Sequence, residues 1–194
     1  MSDMPSSEHE DTPQNELPTT SPNGHTEDPI FEEASANASG LRAYKTLGDF
    51  LRDDDWYPQA IEEHHLYRVQ FMGRNGEMRC FAQIRVDLEQ FIFYAVAPVK
   101  IPLDVRPMAA EFITRANYGL RIGNFEMDYE DGEIRYKASL DFEGDELTPS
   151  LIKNVVYPAV QTLDHYLPGL MSVVYGSKTP LEAIADIEGP HPTE

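Results

Sequence analysis

The chain lacks much of what several chemistries require. It has a single cysteine, Cys80, in 194 residues, so no disulfide can form within it. No run of about 18 apolar residues occurs, and the N-terminus has no basic stretch followed by an apolar core. A membrane is therefore not expected as a partner, and the expected location is cytoplasmic. Glycine-rich phosphate loops are missing. Gly73-Arg74-Asn75-Gly76 reads as a hairpin turn, not as the strand-to-helix loop that cradles a nucleotide. Positive charge is scarce too, with 15 Lys and Arg against 34 Asp and Glu and a net charge of −19. Nucleic acid needs a cationic footprint to displace its counterions, so it is not an expected partner.

The deficit is steepest at the start. Residues 1–41 hold nine acidic side chains, no Lys or Arg, and Pro5, Pro13, Pro18, Pro22 and Pro29. Such a segment offers too little apolar surface to offset its backbone entropy, so residues 1–40 are expected to form a disordered acidic tail. The remaining 25 acids face all 15 bases, leaving the rest at −10. Residues 41–185 are expected to form one domain, and residues 186–194 a flexible C-terminus.

What is present is periodic. Tyr44, Leu47, Phe50 and Leu51 share a helical face, giving a first helix near 41–53. Tyr67, Val69 and Phe71 alternate with Arg68, Gln70 and Met72. Asn75-Gly76 supplies a hairpin turn, and Met78, Cys80, Ala82, Ile84 and Val86 return. A third apolar run, Phe91 to Val96, follows. Pro102 to Gly119 reads as a helix with Phe112 and Ala116 inward. A second hairpin turns at Glu130-Asp131-Gly132, with Phe125, Met127 and Tyr129 on the face to which Ile134, Tyr136 and Ala138 return. Thr148-Pro149 opens a long helix, which Pro158 is expected to bend and Pro168-Gly169 to break or redirect. The fold class is α+β: an antiparallel sheet of about five to six strands with helices on one side, in the order helix, strands, helix, hairpin, helix.

Catalytic groupings are weak. His64-His65 is the only histidine pair, and neighbours on a regular strand point to opposite faces, so no metal site is expected. Cys80 falls on the inward face of its strand, where a small buried thiol is inert. His165 beside Asp164 reads as a surface imidazole, and Asp145-Glu146 as acidic residues before a helix N-terminus. The chain is expected to be no enzyme and to need no cofactor.

Two surfaces stand out. The outward face of the hairpins carries Arg68, Arg79, Arg85, Arg135 and Lys137, with Met72 and Phe81 among them. It is either a docking surface for an acidic segment, the chain's own tail included, or a face neutralised by Glu126, Asp128 and Asp141. On the long helix, Tyr166 and Leu170 belong to apolar stripes wider than one core contact requires. Either a second subunit or client covers part of them, or the helix sits in a groove of its own domain.

The block Arg115-Ala116-Asn117-Tyr118-Gly119-Leu120-Arg121-Ile122-Gly123-Asn124-Phe125-Glu126-Met127-Asp128, with Asp131-Gly132-Glu133-Ile134-Arg135-Tyr136, resembles the YbjN-type family. So does Tyr166-Leu167-Pro168-Gly169, with Val174-Tyr175-Gly176 and Pro180-Leu181-Glu182-Ala183-Ile184 after it, and this later stretch resembles the cyanobacterial and plastid branch. The resemblance implies a fold similar to class I type III secretion chaperones, often homodimeric, and no catalytic residues. It implies a chaperone or adaptor that captures a segment of a client protein, with carboxysome shell proteins as one client class. The alternative is a sensory regulator that binds a small molecule or a regulatory partner.

Overall fold

The computed structural model describes residues 29–189, with side chains from residue 37 onward. The expected acidic tail lies outside the described residues over 1–28, and the last five residues of the expected C-terminus lie outside too. Helix α1 (Pro29–Asp53) starts twelve residues before the expected boundary. It then passes close to the sheet. Gly40 lies against the Val86 backbone, where any side chain would overlap it, and Leu47 and Leu51 are fully buried.

The sheet has six antiparallel strands: β1 (Gln59–Ile61), β2 (Leu66–Met72), β3 (Glu77–Arg85), β4 (Gln90–Lys100), β5 (Asn124–Met127) and β6 (Glu133–Asp141). Their spatial order is β1-β2-β3-β4-β6-β5. β2 to β4 form a meander, and β6 pairs with β4 before β5 closes the far edge. Helix α2 (Arg106–Gly119) joins the two halves, and helix α3 (Pro149–Val174) returns across the sheet. The short β1 was not anticipated, because three residues are too few to show an alternation.

Period-two patterning sorts the strands cleanly. Val69, Cys80, Phe93 and Tyr136 face inward and are at most 2% exposed. Against them pack Trp56, stacked on Phe71, and the buried stripes of α1, α2 and α3. Among the described residues, no helix is long and apolar enough to cross a membrane.

One expectation fails on α3. Pro168 does not break the helix, which is continuous from Pro149 to Val174 with Pro158 and Pro168 inside it. Gly169 is a packing site instead. A side chain there would overlap Ile187 and press on Phe112. Ile187 belongs to helix α4 (Pro180–Glu188), which takes up part of the segment expected to be a flexible terminus. The signal for α4 was present in Thr179-Pro180-Leu181-Glu182: the Thr179 hydroxyl accepts the Glu182 N–H and the Glu182 carboxylate accepts the Thr179 N–H.

Candidate functional site

The helices of the described residues pack on one side, so among these residues the other side of the sheet has no second layer. Strand register builds that open face in transverse rows. One runs Gln59, Arg68, Phe81, Tyr94, Lys137, Asn124 across all six strands. The next runs Gln70, Arg79, Val96, Arg135, Glu126. Phe81, Tyr94 and Ile92 are half-buried and form an apolar floor, while Arg68 and Arg79 stand exposed on it. The Arg135 guanidinium lies 4.3 Å above the Tyr94 ring, a cation–π contact that fixes both side chains.

The face divides electrostatically. On the β6 side, Arg135 (2.8 Å) and Lys137 (3.5 Å) share Glu126. Burial acts to raise the Glu126 pKa, but these two cations outweigh it and hold the carboxyl below its usual value. At one end of β3, Arg85 sits 3.9 Å from Asp87. On the β2 side the cations are less satisfied. Arg68 donates to the Gln59 amide oxygen, a neutral acceptor, at 2.6 and 3.2 Å. Arg79 has Glu133 at 4.0 Å. Neutralisation, one of the two expected readings, therefore applies to Arg135 and Lys137 through Glu126. Of the other acids named for it, Asp141 accepts from Gln90 and Asp128 lies in the β5–β6 turn.

Of the nine expected contact residues, Arg68, Met72, Arg79, Phe81, Arg85, Arg135 and Lys137 share this face, with Met72 and Arg85 at its ends. Tyr166 and Leu170 do not join them. Both are buried, at 7% and 1% exposure, under α2 and α4, and the Tyr166 hydroxyl donates to Glu188 at 2.6 Å. The wide apolar arc of α3 is covered by its own domain.

One sheet edge, at β5, is obstructed, and at the other β1 pairs with β2 only over Leu66–Arg68. The Asn117 carboxamide accepts the Phe125 N–H at 2.7 Å and donates to the Phe125 carbonyl at 3.1 Å, so α2 occupies the outward backbone groups of β5 there. Pro58, which has no N–H, precedes the three-residue β1. Reading Pro102 to Gly119 as a helix gave no hint of this seal.

Cys80, Asp164 and His165 each have contacts within the fold. Burial pushes the Cys80 thiol up to about 12. Asp164 binds the β2–β3 turn, and the His165 ring meets the Tyr166 ring edge-on.

The model of the YbjN family, described as "Putative bacterial sensory transduction regulator", matches residues 44–171. A crystal structure described as "YbjN, a putative transcription regulator from E. coli" is similar at 16% identity and a TM-score of 0.46, covering 69% of this chain and 90% of that one. No curated protein matches the sequence.

Proposed function

This chain belongs to the YbjN family, and from that premise we propose that it is a non-enzymatic adaptor or chaperone that takes a segment of a client protein onto the open face of its sheet. The observation that carries the reading is the transverse row Arg68-Phe81-Tyr94-Lys137, flanked by Arg79 and Arg135 and left without a covering layer among the described residues. An antiparallel sheet can simply face water. A solvated face, however, has no use for a half-buried aromatic floor ringed by arginines, and aromatic and arginine side chains are those enriched where proteins bind proteins. At the β5 edge, where Asn117 occupies the Phe125 backbone, capture on the face is favoured over strand addition.

Carboxysome shell proteins, implied as clients by the sequence resemblance, are the first to assay. Tagged full-length chain and its R79E/F81E variant would be exposed to native lysate and to purified shell proteins. The reading requires a stoichiometric partner that the variant loses while its far-UV circular dichroism is unchanged. Equal retention by the folded variant sinks it. A concavity of about 370 Å³ at Arg68 favours a second reading, a regulator that senses a small acid. That reading requires ligand-dependent thermal stabilisation with no protein retained.

A further inference from the structure

Two concavities on the open face share a wall. One, of about 370 Å³, is lined by Trp56, Tyr57, Gln59, Arg68, Gln70 and Arg79. The other, of about 330 Å³, runs from Gln70, Glu77 and Arg79 to the β4 segment Val96–Lys100, where the strand register shifts. Because Gln70 and Arg79 line both, they form one trough from the β1 edge to β4. Three strand spacings amount to about 14 Å, or about four residues of extended chain. At its rim Tyr57 is 81% exposed and held at φ 50°, a backbone region that bulky residues rarely occupy.

At its β2 end, around Arg68 and Arg79, the charge in the trough is suited to carboxylates, whereas Glu77 lines its far end. Arg68 is met by a neutral amide, and the carboxylate nearest Arg79 among the described residues is Glu133, at 4.0 Å. Arg79 pairs across from Gln70, two residues beyond Arg68, so the two arginines are diagonal neighbours about 7–8 Å apart. Alternate side chains of an extended chain recur at nearly that spacing, about 6.6 Å, on one side.

One segment of this chain matches. Glu8-His9-Glu10-Asp11 carries three carboxylates in four residues, with Glu8 and Glu10 two apart. Glu16 and Asp3 stand alone, and Glu27-Asp28 immediately precedes α1 in the sequence. The segment can reach. Gly40, packed on Val86, is about 16 Å along α1 from Pro29, and Arg79 is about 23 Å along β3 from Val86. The residues between Asp11 and Pro29 can span up to about 58 Å, more than that path of roughly 40 Å.

We propose that the trough is a carboxylate-binding site for an extended acidic segment, and that in the unliganded chain its occupant is Glu8–Asp11, one carboxylate on Arg68 and another on Arg79. The inference rests on the open face being a docking surface. A client segment of the same chemistry would then displace the resident one.

The test is paramagnetic broadening in the full-length chain carrying a nitroxide on Ser7→Cys; the buried Cys80 stays unlabelled. Broadening of the Arg68, Arg79 and Phe81 amides is expected, and its loss in R68Q/R79Q, in E8Q/E10Q/D11N, and in about 1 M salt, where screening acts within about 3 Å. A charge-swapped chain, E8K/E10K with R68E/R79E, should regain it. Absence of broadening, or broadening unchanged by R68Q/R79Q, overturns the proposal. Such a failure is separable from failure of the adaptor reading, because client retention sensitive to R79E/F81E would survive it.

Discussion

The carboxamide of Asn75, in the β2–β3 turn, donates to the backbone carbonyl of Asp164 at 2.8 Å. Residue 168 is the one that would serve this carbonyl inside a helix, and it is a proline without an N–H. The hairpin tip thus supplies the donor that the helix lacks. The Asp164 carboxylate completes the joint by accepting the N–H groups of Asn75 at 2.8 Å and Arg74 at 3.1 Å.

This joint yields a stability prediction. Asp164→Ala should cost about 1–3 kcal/mol, since it strips a charged acceptor from two turn N–H groups. Gly73→Ala should also destabilise, because its methyl group would overlap that carboxylate. Urea unfolding of the two single variants and the double should show that Gly73→Ala costs less once Asp164 is alanine.

Asn117 should behave as a clamp on the sheet edge. Asn117→Ala is expected to lose about 1–2 kcal/mol, as two hydrogen bonds to Phe125 go unmade. Hydrogen exchange at the Phe125 amide should accelerate far more than at Tyr136, which lies inside the sheet.

Alkaline pH should weaken the seat of α4. Burial, followed by the hydrogen bond to Glu188, raises the Tyr166 hydroxyl pKa above its ordinary value of 10.0. A raised folded-state pKa means that the contribution is fully present below pH 10 and is lost as pH rises through the folded value. Thermal melts from pH 8 upward should therefore fall above pH 10, and less steeply in Tyr166→Phe.

Cys80 should report unfolding. With its thiol fully buried and pushed up to about 12, it should react with a thiol reagent only at the rate at which the sheet opens. Cys80→Ser should destabilise through the buried hydroxyl, whereas Cys80→Ala leaves only a small void.

The sheet was legible because its chemistry is local. Alternation at Val69, Cys80 and Tyr136 set the two faces, and Asn75-Gly76 and Gly132 marked the turns. The arginine face followed from the same parity. What escaped the sequence depends on distant partners. Pro168 reads as a stop until Asn75, far away in sequence, takes the freed carbonyl. Gly169 reads as a breaker until Ile187 of α4 fills the space beside it. The α3 stripe holding Tyr166 and Leu170 looks too wide for one core as long as α4, its cover, is not read as a helix. Neutralisation of Arg135 and Lys137 by Glu126, by contrast, was visible as one of two alternatives.

The most direct test of the open face is site-specific photo-cross-linking in native lysate. A photoreactive phenylalanine would replace either Tyr94, at the centre of the face, or Tyr118, which is 94% exposed on α2. The account predicts a discrete protein adduct from position 94 that R79E/F81E abolishes, and none from position 118. An adduct from position 118 with none from 94 would place the partner elsewhere and contradict it.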